Sequence, residues 1–270
     1  MTYFTAVILG FVQGITEFLP VSSTGHLILA RSVLGSEGTH ALAFDALLHL
    51  ATAAAVILYF RRDMWALVQT FLRYVGRMPV NARDVTLLFA IIAGTIPAAI
   101  VGFFLESLMD SVLRGPLIVA GSLIVGSLLL GSAEYVYRRK RISPGHLTVR
   151  IGAYIGLFQM LALIPGMSRS GSSISGGILL GLSRTEATRF AFLLSVPVIL
   201  GAGLKKGVAL LSQGADVSLG PVFVGAMVAF ISGLCAVHFM LRYLRTHTFW
   251  PFIWYRFVLA AVVILVVFAG

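Results

Sequence analysis

Two stretches of this chain set groups that can bind and move phosphate among apolar neighbours. Pro165-Gly166-Met167-Ser168-Arg169-Ser170-Gly171-Ser172-Ser173 places one arginine, four serines and two glycines between two strongly apolar runs. Polar groups in that setting are costly unless they bind something. Pro165 and Gly166 end the preceding helix, and the serines favour the start of the next one. A helix start rich in N–H and hydroxyl donors, with a guanidinium beside it, suits a phosphate. The second stretch runs from Gln13 to His26. Gln13 and Glu17 are four apart and share a helix face; beyond Pro20, Ser22, Ser23 and Thr24 precede Gly25 and His26. Together the stretches supply a carboxylate, an imidazole, hydroxyls and one arginine, a set that phosphoryl transfer can use.

The elements that carry them are membrane helices. Of 270 residues, 59% are hydrophobic and 11% charged, and the mean hydropathy is +0.98, against roughly 25% charged residues in a soluble domain. Apolar runs of membrane length recur from end to end, so the class is all-α and polytopic rather than a barrel. The N-terminus lacks the basic start of a signal peptide. The formal charge of +10 falls in short loops between apolar runs, which favours membrane topology over nucleic acid as its explanation. Cys235 is the one cysteine. It excludes a disulfide framework and reads as a small lipid-facing or packing residue.

Six stretches, about 41–60, 86–105, 116–137, 187–204, 221–241 and 251–269, are long enough to cross a bilayer. Two shorter ones, about 3–18 and 151–164, each end in a Ser/Gly-rich turn followed by another short apolar helix, about 24–34 and 172–182. These read as re-entrant hairpins. Shifting the chain by 146 residues aligns Gly10 with Gly156, Gln13 with Gln159, Ser22 with Ser168, Gly25 with Gly171 and Leu34-Gly35 with Leu180-Gly181. The expected architecture is therefore six full transmembrane helices plus two re-entrant helical hairpins in one membrane domain, 1–270. It has an internal repeat, with half one at about 1–137, a cytoplasmic linker at about 138–150 and half two at about 151–270. Three crossings per half make it an inverted-topology repeat whose polar tips meet near mid-membrane.

Loop charge sets the orientation. Arg61, Arg62, Arg73, Arg77, Arg83, Arg138, Arg139, Lys140, Arg141, Arg150, Arg184, Arg189, Arg242, Arg245 and Arg256 fall on one predicted side. Arg31, Arg114, Lys205 and Lys206 fall on the other. The larger set is cytoplasmic by the positive-inside rule, with both termini outside. The Arg138–Arg141 run could also touch anionic lipid.

Each group has a blander reading. A serine or threonine in a membrane helix commonly bonds the carbonyl four residues back. A buried neutral histidine with one hydrogen bond is a harmless state, whereas a mid-membrane Glu17 or Arg169 defaults to function. His49, Asp45 and Glu134 read as interface residues near the ends of crossings. Trp65, Trp250, Trp254, Tyr135, Tyr137 and Tyr255 read as belt residues.

The runs QGITEFLPVSSTGH and PGMSRSGSS closely resemble the two signature regions of the undecaprenyl pyrophosphate phosphatase family, bacterial membrane enzymes also linked to bacitracin resistance. The family's Glu-or-Gln, three residues, Glu is matched by Gln13 and Glu17. Its hydroxyl-rich run is matched by Ser22, Ser23, Thr24, Gly25 and His26, and its Pro-Gly-x-Ser-Arg-Ser run by Pro165, Gly166, Ser168, Arg169 and Ser170. Ser173 stands where members often have threonine, and Gln13 removes one of two possible carboxylates.

The resemblance implies removal of the terminal phosphate of undecaprenyl pyrophosphate, regenerating the lipid carrier for peptidoglycan synthesis. It also implies dependence on a divalent cation, Mg²⁺ or Ca²⁺, and a bacterial plasma (inner) membrane location; the loop-charge orientation, which brings the first hairpin in from outside, is what leads to a site opening to the outer, periplasmic face. Expected phosphate binders are Ser22, Thr24, Ser168, Arg169, Ser170 and Ser173. Glu17 with Gln13 positions the metal, and Ser23, His26 or water supplies the attack, with Arg169 on the phosphate. The expected partners are the polyprenyl pyrophosphate substrate and membrane lipids, with no nucleic acid; the oligomeric state is open, a homodimer included. The alternative is a transporter or flippase of an anionic lipid head group, since inverted repeats with broken helices are the usual transporter plan.

Overall fold

The computed structural model describes residues 1–36, 41–111, 113, 115–139, 145–212 and 219–269. Among them are eleven helices: α1 Tyr3–Phe18, α2 Ser23–Leu34, α3 Ala41–Tyr59, α4 Arg61–Val75, α5 Ala82–Ser111 and α6 Pro116–Arg139, then α7 Val149–Leu161, α8 Arg169–Leu179, α9 Arg184–Ser212, α10 Leu219–Tyr243 and α11 Trp250–Ala269. The described residues contain no strand. Five helices, α5, α6, α9, α10 and α11, are long and apolar enough to cross a membrane, and the α3–α4 pair, bent by 83°, is a sixth candidate. The chain is a multi-pass, all-helical membrane protein.

The short helices stop and start where the sequence dictates. Leu19 is extended at φ −70°, ψ 140°, the conformation imposed on the residue before Pro20, so α1 ends at Phe18. Thr148 caps α7 by accepting a hydrogen bond from the Ile151 amide at 3.2 Å. Ser22 and Ser168, offset by 146 residues, are N-caps with positive φ, 73° and 71°. Each hydroxyl accepts from the amide three residues on, Gly25 at 3.4 Å and Gly171 at 3.1 Å. A positive φ on a serine costs about 1–3 kcal/mol and persists only where the surroundings enforce it. Both short helices then end at left-handed glycines, Gly35 and Gly181.

The arms pack crosswise: α1 lies on α10 and α7 on α5, while α3 lies on α9 and α6 on α11. Glycines permit the approach. A Cβ on Gly10 would sit 2.3 Å from the Gly225 carbonyl oxygen, and one on Gly156 would sit 2.2 Å from that of Gly94. Gly156→Leu is expected to destabilise the protein in detergent by about 3 kcal/mol or more. Gly121→Leu, where nothing lies within 4 Å, should change stability by less than about 1 kcal/mol. Thermal unfolding followed by circular dichroism separates the two, and equal losses would contradict the packing.

Three readings change. Residues 61–75, expected in a loop, form α4, whose exposed Trp65, Val68, Leu72 and Val75 recur at helical spacing beside arginines, the pattern of an interfacial helix. Glu134 is not an interface residue: it is fully buried and pairs with Arg184, whose guanidinium lies over Tyr137 at 4.4 Å. Arg256 is not a loop charge: it is 0% exposed and is bound by carbonyls described below. Cys235 is free and exposed, as a lipid-facing residue would be. Arg114, Lys140 and Arg141, with residues 140–144 of the expected linker, lie outside the described residues, as does the side chain of Lys206.

Candidate active site

The turn between α1 and α2 and the turn between α7 and α8 meet inside the bundle. The Ser170 hydroxyl donates to the Leu19 carbonyl at 3.1 Å, tying one turn to the other. Arg256 of α11 holds both from behind, donating to the carbonyls of Pro20 at 3.4 Å, Gly166 at 3.2 Å and Met167 at 3.0 Å. Space for it exists because Gly126 and Gly171 lack side chains: a Cβ there would lie 2.0 Å and 2.9 Å from its terminal nitrogens. Backbone turned away from its own helix would otherwise leave those carbonyls unsatisfied in an apolar interior.

Glu17 is the centre of the polar cluster, its side chain 4% exposed. Its Oε2 accepts from the Ser23 hydroxyl at 2.8 Å and from the Gln13 side-chain amide at 3.0 Å. Its Oε1 faces Arg169 Nη1 at 3.5 Å. That nitrogen is buried and has no hydrogen-bond partner, so it is a donor held ready for an anion. His49 Nδ1 lies 2.8 Å from the Gln13 amide nitrogen and 3.3 Å from Glu17 Oε2. These groups face a polar pocket of about 50 Å³ lined by Glu17, Ser22, Ser23, Thr24, His49, Ala162, Gly166, Ser168 and Arg169. The N-termini of α2 and α8 flank it, adding first-turn amides and the positive ends of two helix dipoles.

A second cavity of about 370 Å³ adjoins the first and shares Thr24, His49, Ala162 and Arg169 with it. It runs between α3, α5 and α9, with Leu27, Ala98, Phe103, Leu163 and Val198 among its apolar walls. Asp45 on its wall is held by Arg31 at 2.5 Å. The site thus pairs a small polar chamber with a larger apolar one.

Most of the residues picked from the sequence converge here. Glu17, Ser22, Ser23, Thr24, Ser168 and Arg169 line the polar pocket, and Gln13 stands behind Glu17. Ser168 also contacts the Ser170 hydroxyl at 3.2 Å. Ser173 is buried in α8 with its hydroxyl unpartnered and is not among the pocket-lining residues. His26 is turned away from the pocket: its Nδ1 contacts the Ser22 carbonyl at 2.8 Å and its Nε2 the Tyr255 hydroxyl at 2.7 Å. The imidazole inside is His49 of α3, for which the sequence carries no signal beyond a polar residue in an apolar helix. The other residue the sequence did not single out is Arg256.

A cation can be accommodated. Gln13 Oε1 is a buried acceptor without a partner beside the single carboxylate of Glu17, and hard divalent ions take oxygen ligands. The described residues hold no group of three or more His, Cys, Asp and Glu side chains suited to a metal. Phosphate oxygens of a bound substrate would have to complete the shell, as is usual for Mg²⁺.

A multi-pass helical protein that sets a buried hydroxyl–carboxylate pair and an arginine nitrogen free of hydrogen bonds around one polar pocket belongs among membrane proteins that act on an anionic group. Residues 6–262 match the family described as bacitracin resistance protein BacA, and the chain belongs to that family. It is 43% identical to an undecaprenyl-diphosphatase of Trichlorobacter lovleyi over 93% of this chain and 92% of the relative. It is 41% identical to one of Alteromonas mediterranea over the full length of both, and 40% identical to one of Kineococcus radiotolerans over 97% and 92%.

Proposed function

We propose that this protein is an intramembrane phosphatase that removes the terminal phosphate of undecaprenyl pyrophosphate, returning undecaprenyl phosphate to cell-wall synthesis and countering bacitracin. The observation that carries this is the Ser23–Glu17 hydrogen bond at 2.8 Å beside Arg169 Nη1, which lies 3.5 Å from Glu17 but makes no hydrogen bond, a nucleophile–base pair facing an anion donor. Arg169, Thr24, Ser22 and Ser168 hold the terminal phosphate in the polar pocket. Ser23 Oγ attacks its phosphorus as Glu17 takes the hydroxyl proton, the bond from phosphorus to the bridging oxygen breaks, and undecaprenyl phosphate departs. Water then cleaves the phosphoserine, releasing inorganic phosphate. Glu17 and Gln13 would hold a divalent cation, Mg²⁺ or Ca²⁺, which neutralises charge on the phosphates when bound. The first isoprene units lie in the larger apolar cavity. A lipid carrier has no use for a serine–carboxylate pair of this kind, which favours hydrolysis over transport.

In this reading α3, α5, α6, α9, α10 and α11 cross the membrane, and α1–α2 and α7–α8 are re-entrant hairpins in two halves of opposite orientation. The matching positive-φ serines at Ser22 and Ser168 and the crosswise packing of α1 and α7 support it. Both termini lie on the outer side of the bacterial inner membrane, where the site opens.

The test is phosphate release from undecaprenyl pyrophosphate in detergent micelles, which have no compartments for a carrier to work between. Wild type should turn over and EDTA should slow it. Folded Arg169→Ala should lose roughly 100- to 1,000-fold in kcat/KM. Wild-type turnover by Arg169→Ala would put the phosphate elsewhere.

A further inference from the structure

The Gln13 amide nitrogen lies 3.0 Å from Glu17 Oε2 and 2.8 Å from His49 Nδ1. Reversing the amide would set two oxygens against each other at the first contact with no proton between them, so the NH2 must face both partners. An amide NH2 only donates. His49 Nδ1 therefore accepts and carries no proton, and the single ring proton sits on Nε2. Reading the 3.3 Å approach of Nδ1 to Glu17 as an ion pair would require a proton on Nδ1. That proton would then face the Gln13 NH2. Ser23 supplies the other donor to Glu17 Oε2.

Nε2 makes no hydrogen bond among the described residues, and His49 belongs to the lining of both cavities. It stands where the polar pocket that takes the terminal phosphate opens into the apolar cavity that takes the chain. The acid nearest it on that wall, Asp45, is occupied by Arg31. Resting on the phosphatase reading above, we infer that His49 is a substrate-binding residue: with its Nδ1 set against the Gln13 amide, it donates its Nε2–H to the phosphate that stays on the lipid. Gln13 thereby has two roles, its nitrogen fixing Glu17 and His49 and its oxygen left for a cation.

Two substitutions divide the two ends of the ring. Asparagine at 49 keeps an acceptor near Nδ1 for Gln13 but has no group at Nε2, whereas glutamine puts an amide nitrogen near Nε2. His49→Asn should raise KM for undecaprenyl pyrophosphate, and the inhibition constant of the undecaprenyl phosphate product, each roughly tenfold, with the melting temperature held. His49→Gln should stay within about threefold on both. Wild-type constants for His49→Asn, or equal damage from both substitutions, would overturn the inference. Nitrogen NMR of histidine-labelled wild type reads the tautomer directly: an Nε2–H ring at His49 is expected, and an Nδ1–H ring would also overturn it. A wild-type protein that releases no phosphate would refute the phosphatase reading itself. Turnover by wild type with a silent His49→Asn refutes only the assignment made here.

Discussion

Ser23→Ala is expected to lower kcat for phosphate release by about 10,000-fold while leaving KM within a few-fold. The size follows from what the hydroxyl does. Among the described residues it is the one hydroxyl that both lines the polar pocket and donates to Glu17, so removing it removes nucleophile and proton transfer together. Glu17→Gln should reach nearly the same floor, because the two residues act as one unit and their losses do not add. The double variant should be scarcely slower than either single one. Rapid-quench labelling with substrate carrying radioactive terminal phosphate should trap a phosphoprotein in wild type and none in Ser23→Ala. If Ser23→Ala keeps wild-type kcat, water attacks directly and the serine only binds.

Arg256→Met should cost stability as well as activity. The guanidinium donates to the carbonyls of Pro20, Gly166 and Met167 inside the bundle. Methionine keeps much of the volume but strands three buried acceptors, each worth about 1–3 kcal/mol unsatisfied. A loss of about 3 kcal/mol or more is expected, with phosphate release falling at least about 100-fold as the two turns separate. Arg256→Lys should recover part of the stability, since one ammonium reaches fewer carbonyls than a planar fork. The measurements are thermal unfolding and turnover on the same detergent preparation. Full activity in a folded Arg256→Met protein would show that the turns hold their positions unaided.

The long apolar helices and the short helices between them were legible because apolar length and the Pro, Gly and Ser punctuation are local properties. Glu17, Ser23 and Arg169 were legible because a charge or a hydroxyl-rich turn in an apolar chain has few cheap explanations. His49 was not, because a single imidazole on a crossing looks the same whether it meets lipid headgroups or a carboxylate from α1. Arg256 was hidden by its neighbours: beside Trp250, Trp254 and Tyr255 it resembles a snorkelling interface arginine, and only the arrival of two turns from elsewhere in the chain gives it buried partners. α4 was hidden because an amphipathic helix with an exposed apolar stripe is as rich in charge as a loop. For His49 and Arg256 the deciding contact lies far away in sequence.

Arg256 belongs to α11, and its contacts with the two turns span 236 residues of sequence to Pro20 and 90 to Gly166. A chain in which α11 has not yet docked holds every group named in the reaction but not the fastener that registers them. Completing the pocket thus waits on contacts of long sequence separation, the kind that form slowly in folding.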